Sequence, residues 1–453
     1  MKKFFIPIII LVTSFFVVYI LLVDSAFIKI SMLLLYALFI AFFISPEISI
    51  IAFISIRPLL DTFNAYTVVS YQNFALNLNA ILGLAIFLCG LGLIIYRKMS
   101  IKIPGLIMLP FFLFFCIVSV FYSQHPIISL EEILKILGIF ILYIIAYNWV
   151  KNSQFEKNIK YAILASSSIP ILVSFWQLIT QSGLNYGLLT NRVYGTFVHP
   201  NSLGFFLVII IALLLAEYLL TKNKKILYLF IPVGIPFIFT YTRGAWIGLA
   251  VVLFVLGIML YRKQLLIALA IISLLFISLQ VAQFIAVNQF DYDLRKIPLY
   301  ARLMIRNEED DSIDWRIKVW KEMSPLIWQA PFTGHGLGMY PYLRSNQIIN
   351  IYEATEAHND YLRLAIEIGL LGTAAYVLLW LSILRKNLRT FFTVKSKKEK
   401  IQPAMACGLI AAFLIMSIAD NILEATAVMW VFWTVLGLFS FSLSKKPLPK
   451  DAE

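Results

Sequence analysis

The chain has 453 residues, 61% of them hydrophobic and 13% charged, with a mean hydropathy of +0.88. A soluble domain carries roughly 25% charged residues, so the composition excludes a soluble enzyme and points to a polytopic membrane protein. The net charge of +13 does not mark a nucleic-acid binder, because most of the positive charge lies in short loops between apolar runs, where it fixes orientation in a bilayer.

The start, Met-Lys-Lys-Phe-Phe-Ile-Pro-Ile-Ile-Ile, resembles a signal peptide, but no small-residue cleavage site follows and more apolar segments do. An uncleaved first helix is expected. A span needs about 20 apolar residues. Apolar segments run over about 4–23, 26–44, 47–60, 75–95, 103–121, 133–150, 161–180, 200–220, 226–240, 244–261, 264–287, 361–384, 401–418 and 422–443. The third and ninth are short. The fold expected is an all-α polytopic membrane protein with about 12–14 transmembrane helices and one large, partly helical extracytoplasmic loop. Its parts are amino-terminal helices (1–160), helices carrying arginine motifs (161–287), the large loop (288–360) and carboxy-terminal helices (361–453).

With the amino terminus inside, the loops at Arg97-Lys98, 151–160, 222–225, 262–263 and 385–400 share one side with Lys445-Lys446. Most of the 37 Lys and Arg fall there, which makes that side cytoplasmic and puts both termini inside. Outside lie the loops at about 61–74, 122–132, 181–199 and 288–360, with tight turns near 241–243 and 419–421.

Loop 288–360 is too long to be a passive connector. In Asp314-Trp-Arg-Ile-Lys-Val-Trp-Lys-Glu-Met323, Trp315, Val319 and Met323 recur at helical spacing, with Trp320 near the same face. The pattern predicts an amphipathic helix lying along the headgroups. Pro325 and Pro331 follow it, and Gly334-His-Gly-Leu-Gly338 reads as a turn.

All four histidines, His125, His199, His335 and His358, fall outside in this threading. His358 stands out, because Asn359 or Asp360 can cap the helix that follows and a neutral imidazole can accept a proton from a hydroxyl. An interfacial histidine facing headgroups is the plainer alternative. Arg192 precedes an apolar run in Asn191-Arg-Val-Tyr-Gly-Thr-Phe-Val-His-Pro-Asn201. Arg243 lies in the turn Thr240-Tyr-Thr-Arg-Gly-Ala-Trp246. Arginine at such a turn calls for an anion, either Asp420 or Glu424 from the last hairpin or a substrate phosphate. Arg316 projects from the loop helix. A guanidinium fork suits pyrophosphate, and headgroup anchoring is the alternative for each arginine. Asp291-Tyr-Asp293 lacks the soluble domain of a metal-dependent nucleotide-sugar transferase, and Glu308-Glu-Asp-Asp311 is a solvated charge run. Cys89, Cys116 and Cys407 lie within apolar segments as small hydrophobes. No metal spacing is visible, so a metal-free and cofactor-free reaction is expected.

These residues resemble the O-antigen ligase and polymerase superfamily of bacterial membrane glycan transferases. Its signature is His-Asn, nine residues, Gly, two residues, then Gly, Thr or Tyr. Here His358-Asn359 is followed at that spacing by Gly369 and Gly372. Arg192-Val-Tyr-Gly195 with Pro200-Asn201, Thr242-Arg243-Gly244, Arg316 with Trp320, and Pro331 with Gly334 and Gly336 resemble further blocks in the same order. The resemblance covers about 190–380.

It implies transfer of a glycan from a polyprenyl-pyrophosphate donor on the outer face of the bacterial cytoplasmic membrane. It makes His358 the base that activates the acceptor hydroxyl, with Arg243 and Arg316 on the pyrophosphate. Arg192, Asn359, Asn201 and Trp320 complete the expected substrate-binding set. The partners implied are the lipid-linked donor, a glycan or lipid-linked acceptor and membrane lipids, with flippase and chain-length machinery as further contacts and no nucleic acid. A polymerase of surface-polysaccharide repeat units is favoured over a ligase that moves the finished glycan to a lipid core, protein or wall. A transporter is the less favoured alternative. Transporters carry charged groups or broken helices near the midplane, often in repeated halves, whereas here the notable polar groups gather at the outer border and no repeat is visible.

Overall fold

The computed structural model describes residues 26–440, apart from 64–66, 72–73, 104, 151, 187–188, 291–293, 295–296, 298, 301–311 and 348–355. The expected first helix, Asp291-Tyr-Asp293, Glu308-Glu-Asp-Asp311 and Lys445-Lys446 lie outside the described residues.

The architecture is all-α. Helices occupy every apolar segment expected from residue 26 onward. The amino-terminal half runs α1 (Ala26–Ile44), α2 (Pro46–Ile56), α3 (Leu78–Tyr96), α4 (Leu109–Val120), α5 (Pro126–Trp149), α6 (Ser153–Ser166) and α7 (Ser168–Thr180). Then come α8 (Pro200–Thr221), α9 (Phe230–Phe239), α10 (Arg243–Leu260) and α11 (Arg262–Phe290). The large loop supplies α12 (Ser312–Met323), α13 (Pro325–Gln329) and α14 (Tyr340–Gln347). The chain closes with α15 (Asp360–Thr393), α16 (Lys397–Met416) and α17 (Thr426–Phe439). Two small antiparallel hairpins, β1 (Thr67–Tyr71) with β2 (Phe74–Asn77) and β3 (Leu184–Tyr186) with β4 (Leu189–Arg192), sit in loops expected outside. Among the described residues, five stretches are long and apolar enough to cross a membrane: Ser153–Thr180, Pro200–Thr221, Arg243–Leu260, Asp360–Thr393 and Lys397–Met416. The chain is an all-α polytopic membrane protein.

Helix α17 is apolar on every side and buried along its whole length, as a helix without a polar face must be. It packs along α5 and α8, while α10 lies along α16 and α15 lies against α4 and α16. Trp380, Phe413, Phe432, Trp433 and Tyr143 interlock at the centre. Such aromatic pairs each add about 0.5–1.5 kcal/mol beyond their buried area.

The bundle has two distinct polar ends. At one, Arg97 bonds Glu47, Lys160 bridges Glu156 and Glu217, Gln402 reaches Glu156, and Asn387 reaches Ser440. This end carries the basic loops. At the other, Asp61 accepts from Val198, Arg57 donates to Thr426, Arg192 to Thr240 and Asn201 to Asp420. The turns at 240–242, 331–340, 356–360 and 417–424 also meet here.

The loop helix α12 forms as the periodicity predicts, but its apolar face does not lie on headgroups. Val319 and Met323 are buried, packing with Leu326, Met339, Leu343 and Ile366 in a small core of their own. The described part of the loop from Ser312 to Gln347 is a folded cap, and its apolar stripe is buried against its own residues and against Ile366 and Leu362 of α15 and Ile128 of α5. Helix α15 brings a second correction. It is two helices joined at Gly369, whose backbone (φ 75°, ψ 173°) leaves the helical region. Arg363 and Glu367 are buried in its first segment. A broken helix with buried charges is therefore present, beyond the polar groups that the sequence placed at the outer border.

Candidate active site

Three of the six left-handed, non-glycine residues among the described residues lie beside site candidates: Asn191, Tyr241 and His358, with φ of 56°, 50° and 46°. Such backbone costs energy and clusters where function demands a fixed geometry. Each lies at, or within two residues of, a candidate residue. Asn191 precedes Arg192, Tyr241 stands two residues before Arg243, and His358 is itself a candidate.

His358 enters α15 through a well-made cap. Asn359 Oδ1 accepts from the Tyr361 and Leu362 amides, both at 3.0 Å. This is the cap expected from the sequence, and it commits the Asn359 side chain to the protein. The Asn359 amide donates to Asn421 Oδ1 at 2.9 Å. On the other side of His358, the Ala357 carbonyl accepts from Trp320 Nε1 at 2.8 Å. The Trp315 ring stands edge-on to the imidazole, centroids 5.6 Å apart. The cap helix and the last hairpin thus grip the chain on both sides of the imidazole. Trp320 and Asn359 reach it through the backbone.

His358 Nδ1 is buried and makes no hydrogen bond. It lies 3.6 Å from Asp420 Oδ1 and 3.8 Å from Glu356 Oε2. Asp420 Oδ2 accepts from Asn201 Nδ2 at 2.6 Å. Asn201 Oδ1 accepts in turn from the Arg192 guanidinium at 3.1 Å and faces Thr242 Oγ1 at 3.3 Å. Arg192 also donates from Nε to the Thr240 carbonyl at 2.9 Å. One line of polar contacts therefore runs from Thr240 and Arg192 through Asn201 and Asp420 to the imidazole. Arg243 opens α10 directly after Thr242. Arg192 is buried and its guanidinium is engaged by these neighbours.

Arg316 comes down from α12 next to Trp315. Its Nε is buried without a hydrogen bond, and its charge acts on both Asp420 and His199. Burial pushes the Asp420 carboxyl up, but His358, Arg316 and His199 outweigh it and hold the group below the usual carboxylate range. Burial first, then the Arg192 charge, push the His199 imidazole down to about 4 from the usual 6.5.

His199 caps α8, its Nδ1 accepting from the Asn201 amide at 3.1 Å. Between pH 4 and 6.5 the unfolded chain takes up a proton that the folded chain refuses, so folding weakens as pH falls through that window. Replacing His199 with Asn keeps a capping acceptor and removes the titration. In detergent, the native protein should lose more thermal stability than His199→Asn between pH 6.5 and pH 4, and parallel melting curves would remove this role.

His335 Nε2 meets the Leu326 carbonyl at 3.0 Å, and the His125 ring packs on Tyr342. The three cysteines are free and buried, as read from the sequence.

Sequence reasoning missed the pairing of His358 with Asp420, since 62 residues separate them and no motif joins them. It also missed a possible metal-ligand set. Glu356, His358 and Asp420 each offer one ligand atom, all within 4.8 Å of one another. Their surroundings fit a cation poorly, because Asp420 already accepts from Asn201 and the Arg316 charge acts on the same carboxylate.

No curated protein matches the chain. Residues 227–377 match the family described as O-antigen ligase. That stretch is about a third of the chain. It includes Arg243, the cap, His358, Gly369 and Gly372, and leaves Arg192, Asn201 and Asp420 outside. Over that stretch the chain, an all-α membrane scaffold, is similar to the O-antigen ligase family, and the match supports its resemblance to the O-antigen ligase and polymerase superfamily.

Proposed function

We propose that the protein is a surface-polysaccharide polymerase of the bacterial cytoplasmic membrane. It moves a glycan from a polyprenyl-pyrophosphate donor to a sugar hydroxyl of a lipid-linked acceptor, on the outer face. The observation that carries this reading is the polar line from Arg192 through Asn201 and Asp420 to His358, with Arg316 acting on the same carboxylate.

The chemistry follows from the parts. A sugar hydroxyl is a poor nucleophile, and a positioned base helps by roughly 10²–10⁴-fold. In the proposed step His358 takes the hydroxyl proton as the oxygen attacks the anomeric carbon. Asp420, held anionic, orients the ring and offsets the charge that forms on it. The anomeric carbon–oxygen bond breaks and the electron pair leaves with the polyprenyl pyrophosphate. Arg243 and Arg316 neutralise that leaving group. Direct attack inverts the anomeric carbon. Asn201 and Arg192 act by fixing Asp420 and the Thr242–Arg243 turn. The donor carries its own activation, so the step uses no cofactor and no metal. The basic loops at the opposite polar end fit a cytoplasmic orientation for that end, which leaves the site outside.

The test is reconstitution in vesicles with a synthetic lipid-linked repeat unit. A ladder of chains, one repeat apart and unchanged by a metal chelator, is expected. Transfer of a whole glycan to a lipid core or protein, without a ladder, would replace this reading with the ligase. Chelator-sensitive transfer would give Glu356, His358 and Asp420 a metal.

A further inference from the structure

Below His358 the first segment of α15 carries a buried guanidinium and a buried carboxylate where an apolar run was expected. Arg363 and Glu367 are 2% and 0% exposed. Arg363 donates to Glu424 Oε1 and lies 3.8 Å from Glu367 Oε2. Each neighbour reaches a different element. Glu424 Oε2 accepts from Asn421 Nδ2 at 3.3 Å, and Asn421 holds the amide directly after His358. Glu367 Oε1 accepts from the Tyr340 amide of the cap at 3.2 Å. One turn back, Asp360 accepts from Ser417 Oγ at 2.8 Å and from the Leu423 amide at 3.2 Å. The cluster thus joins the cap, α15 and the hairpin that bears Asp420.

A buried ion cluster is an inefficient way to stabilise a fold, because desolvation consumes most of the attraction. This one is also unsaturated, since Arg363 Nε and Glu367 Oε2 make no hydrogen bond. Apolar residues of the same volume would hold α15 as firmly. What they would not supply is register. Asp420 sits at the start of a hairpin with no regular structure until Thr426 beyond one 3-10 turn. Its distance to His358 depends on what pins residues 421–424.

We propose that Arg363 is a positioning residue, which through Glu424 and Asn421 sets the separation of His358 and Asp420. The inference rests on His358 being the base of the transfer. Its consequence is kinetic. A misplacement of about 1 Å can cost on the order of 10²-fold in rate, while substrate binding, which rests on other arginines, is untouched.

The experiment is a double-mutant cycle on the full-length protein in vesicles, read by kcat and KM separately. Arg363→Met should lower kcat by about 10–100-fold at unchanged KM, and Arg363→Lys should recover part of it. In an Asp420→Asn background, Arg363→Met should have little further effect, because the geometry it sets no longer matters. Independent, multiplying losses from Arg363→Met and Asp420→Asn would overturn the proposal, as would a loss confined to KM. If Arg363→Met does not assemble, Glu424→Gln enters the same cycle with the same two outcomes. His358→Ala separates this inference from the reading beneath it. An active His358→Ala protein removes the base itself, whereas an inactive one with a multiplicative cycle removes only the positioning role.

Discussion

Replacing His358 with Ala should reduce transfer by roughly 10²–10⁴-fold, the contribution of a positioned general base, with the protein still in the membrane at its normal level. The fold predicts the second half of that outcome. The imidazole contributes no hydrogen bond through Nδ1, and the helix it precedes is capped by Asn359 rather than by His358. Cells carrying the variant should accumulate single lipid-linked repeat units and lose long chains. Accumulation of long lipid-linked chains that never reach an acceptor would show a ligase instead. Normal surface polysaccharide from a well-expressed variant would end the role of His358. A smaller loss is expected from Asp420→Asn, which leaves the base in place and removes the anion beside it.

The sequence exposed the parts of this site that are local and hid the parts that are not. Helices could be read because apolar runs of about 20 residues have few other folds in a membrane. The Asn359 cap could be read because capping acts over three residues. Asp420 and Glu424 could be named only as candidate anions for Arg243. In the structure Asp420 bonds Asn201 and faces His358, while Glu424 bonds Arg363. Those partners depend on how the last hairpin docks, and spacing along the chain carries no trace of that. Arg363 and Glu367 did leave a signal, two opposite charges one helical turn apart inside an apolar run. The headgroup placement of α12 failed for a different reason. A periodic apolar stripe reports that one face is buried and not what buries it, and here the cap's own Leu326, Met339 and Leu343 do so.

The transport alternative was set aside because the notable polar groups gather at the outer border, and α15 is a broken helix with buried charges. Its geometry still favours chemistry over passage. In transporters the opened backbone of a broken helix faces a substrate path. In this protein the opened turn is closed by the cap. The His335 and Gly336 amides donate to the Ile366 and Glu367 carbonyls at 3.0 and 2.9 Å, and the Leu370 amide donates to the Pro331 carbonyl at 2.8 Å. The break is a socket for residues 331–336, which ties the cap to the segment leading from His358.

Gly369→Ala should therefore be strongly destabilising. Gly369 holds φ 75° and ψ 173°, a region that glycine alone adopts readily and where other residues cost about 1–3 kcal/mol. A Cβ there would also stand 2.7 Å from the carbonyl carbon and oxygen of Phe332. Backbone cannot yield as a side chain can, and overpacking of this kind adds typically 1–3 kcal/mol. The opposing position is as strict. Gly334, at φ 67°, would place a Cβ 2.2 Å from the Glu367 carbonyl oxygen. Gly372→Ala is the comparison, because Gly372 has no positive φ and its added methyl would meet side chains rather than backbone, Ile368 Cγ1 and Cδ1 at 2.8 Å and Phe115 Cβ at 3.0 Å. In detergent, Gly369→Ala should lower the melting temperature well below that of Gly372→Ala and make the 331–340 turn sensitive to limited proteolysis. Activity should fall with it, since α12 and Trp320 reach His358 only while the cap is seated. Equal stability of the two variants would mean that the cap does not depend on the break, and the link from Gly369 to the imidazole would be lost.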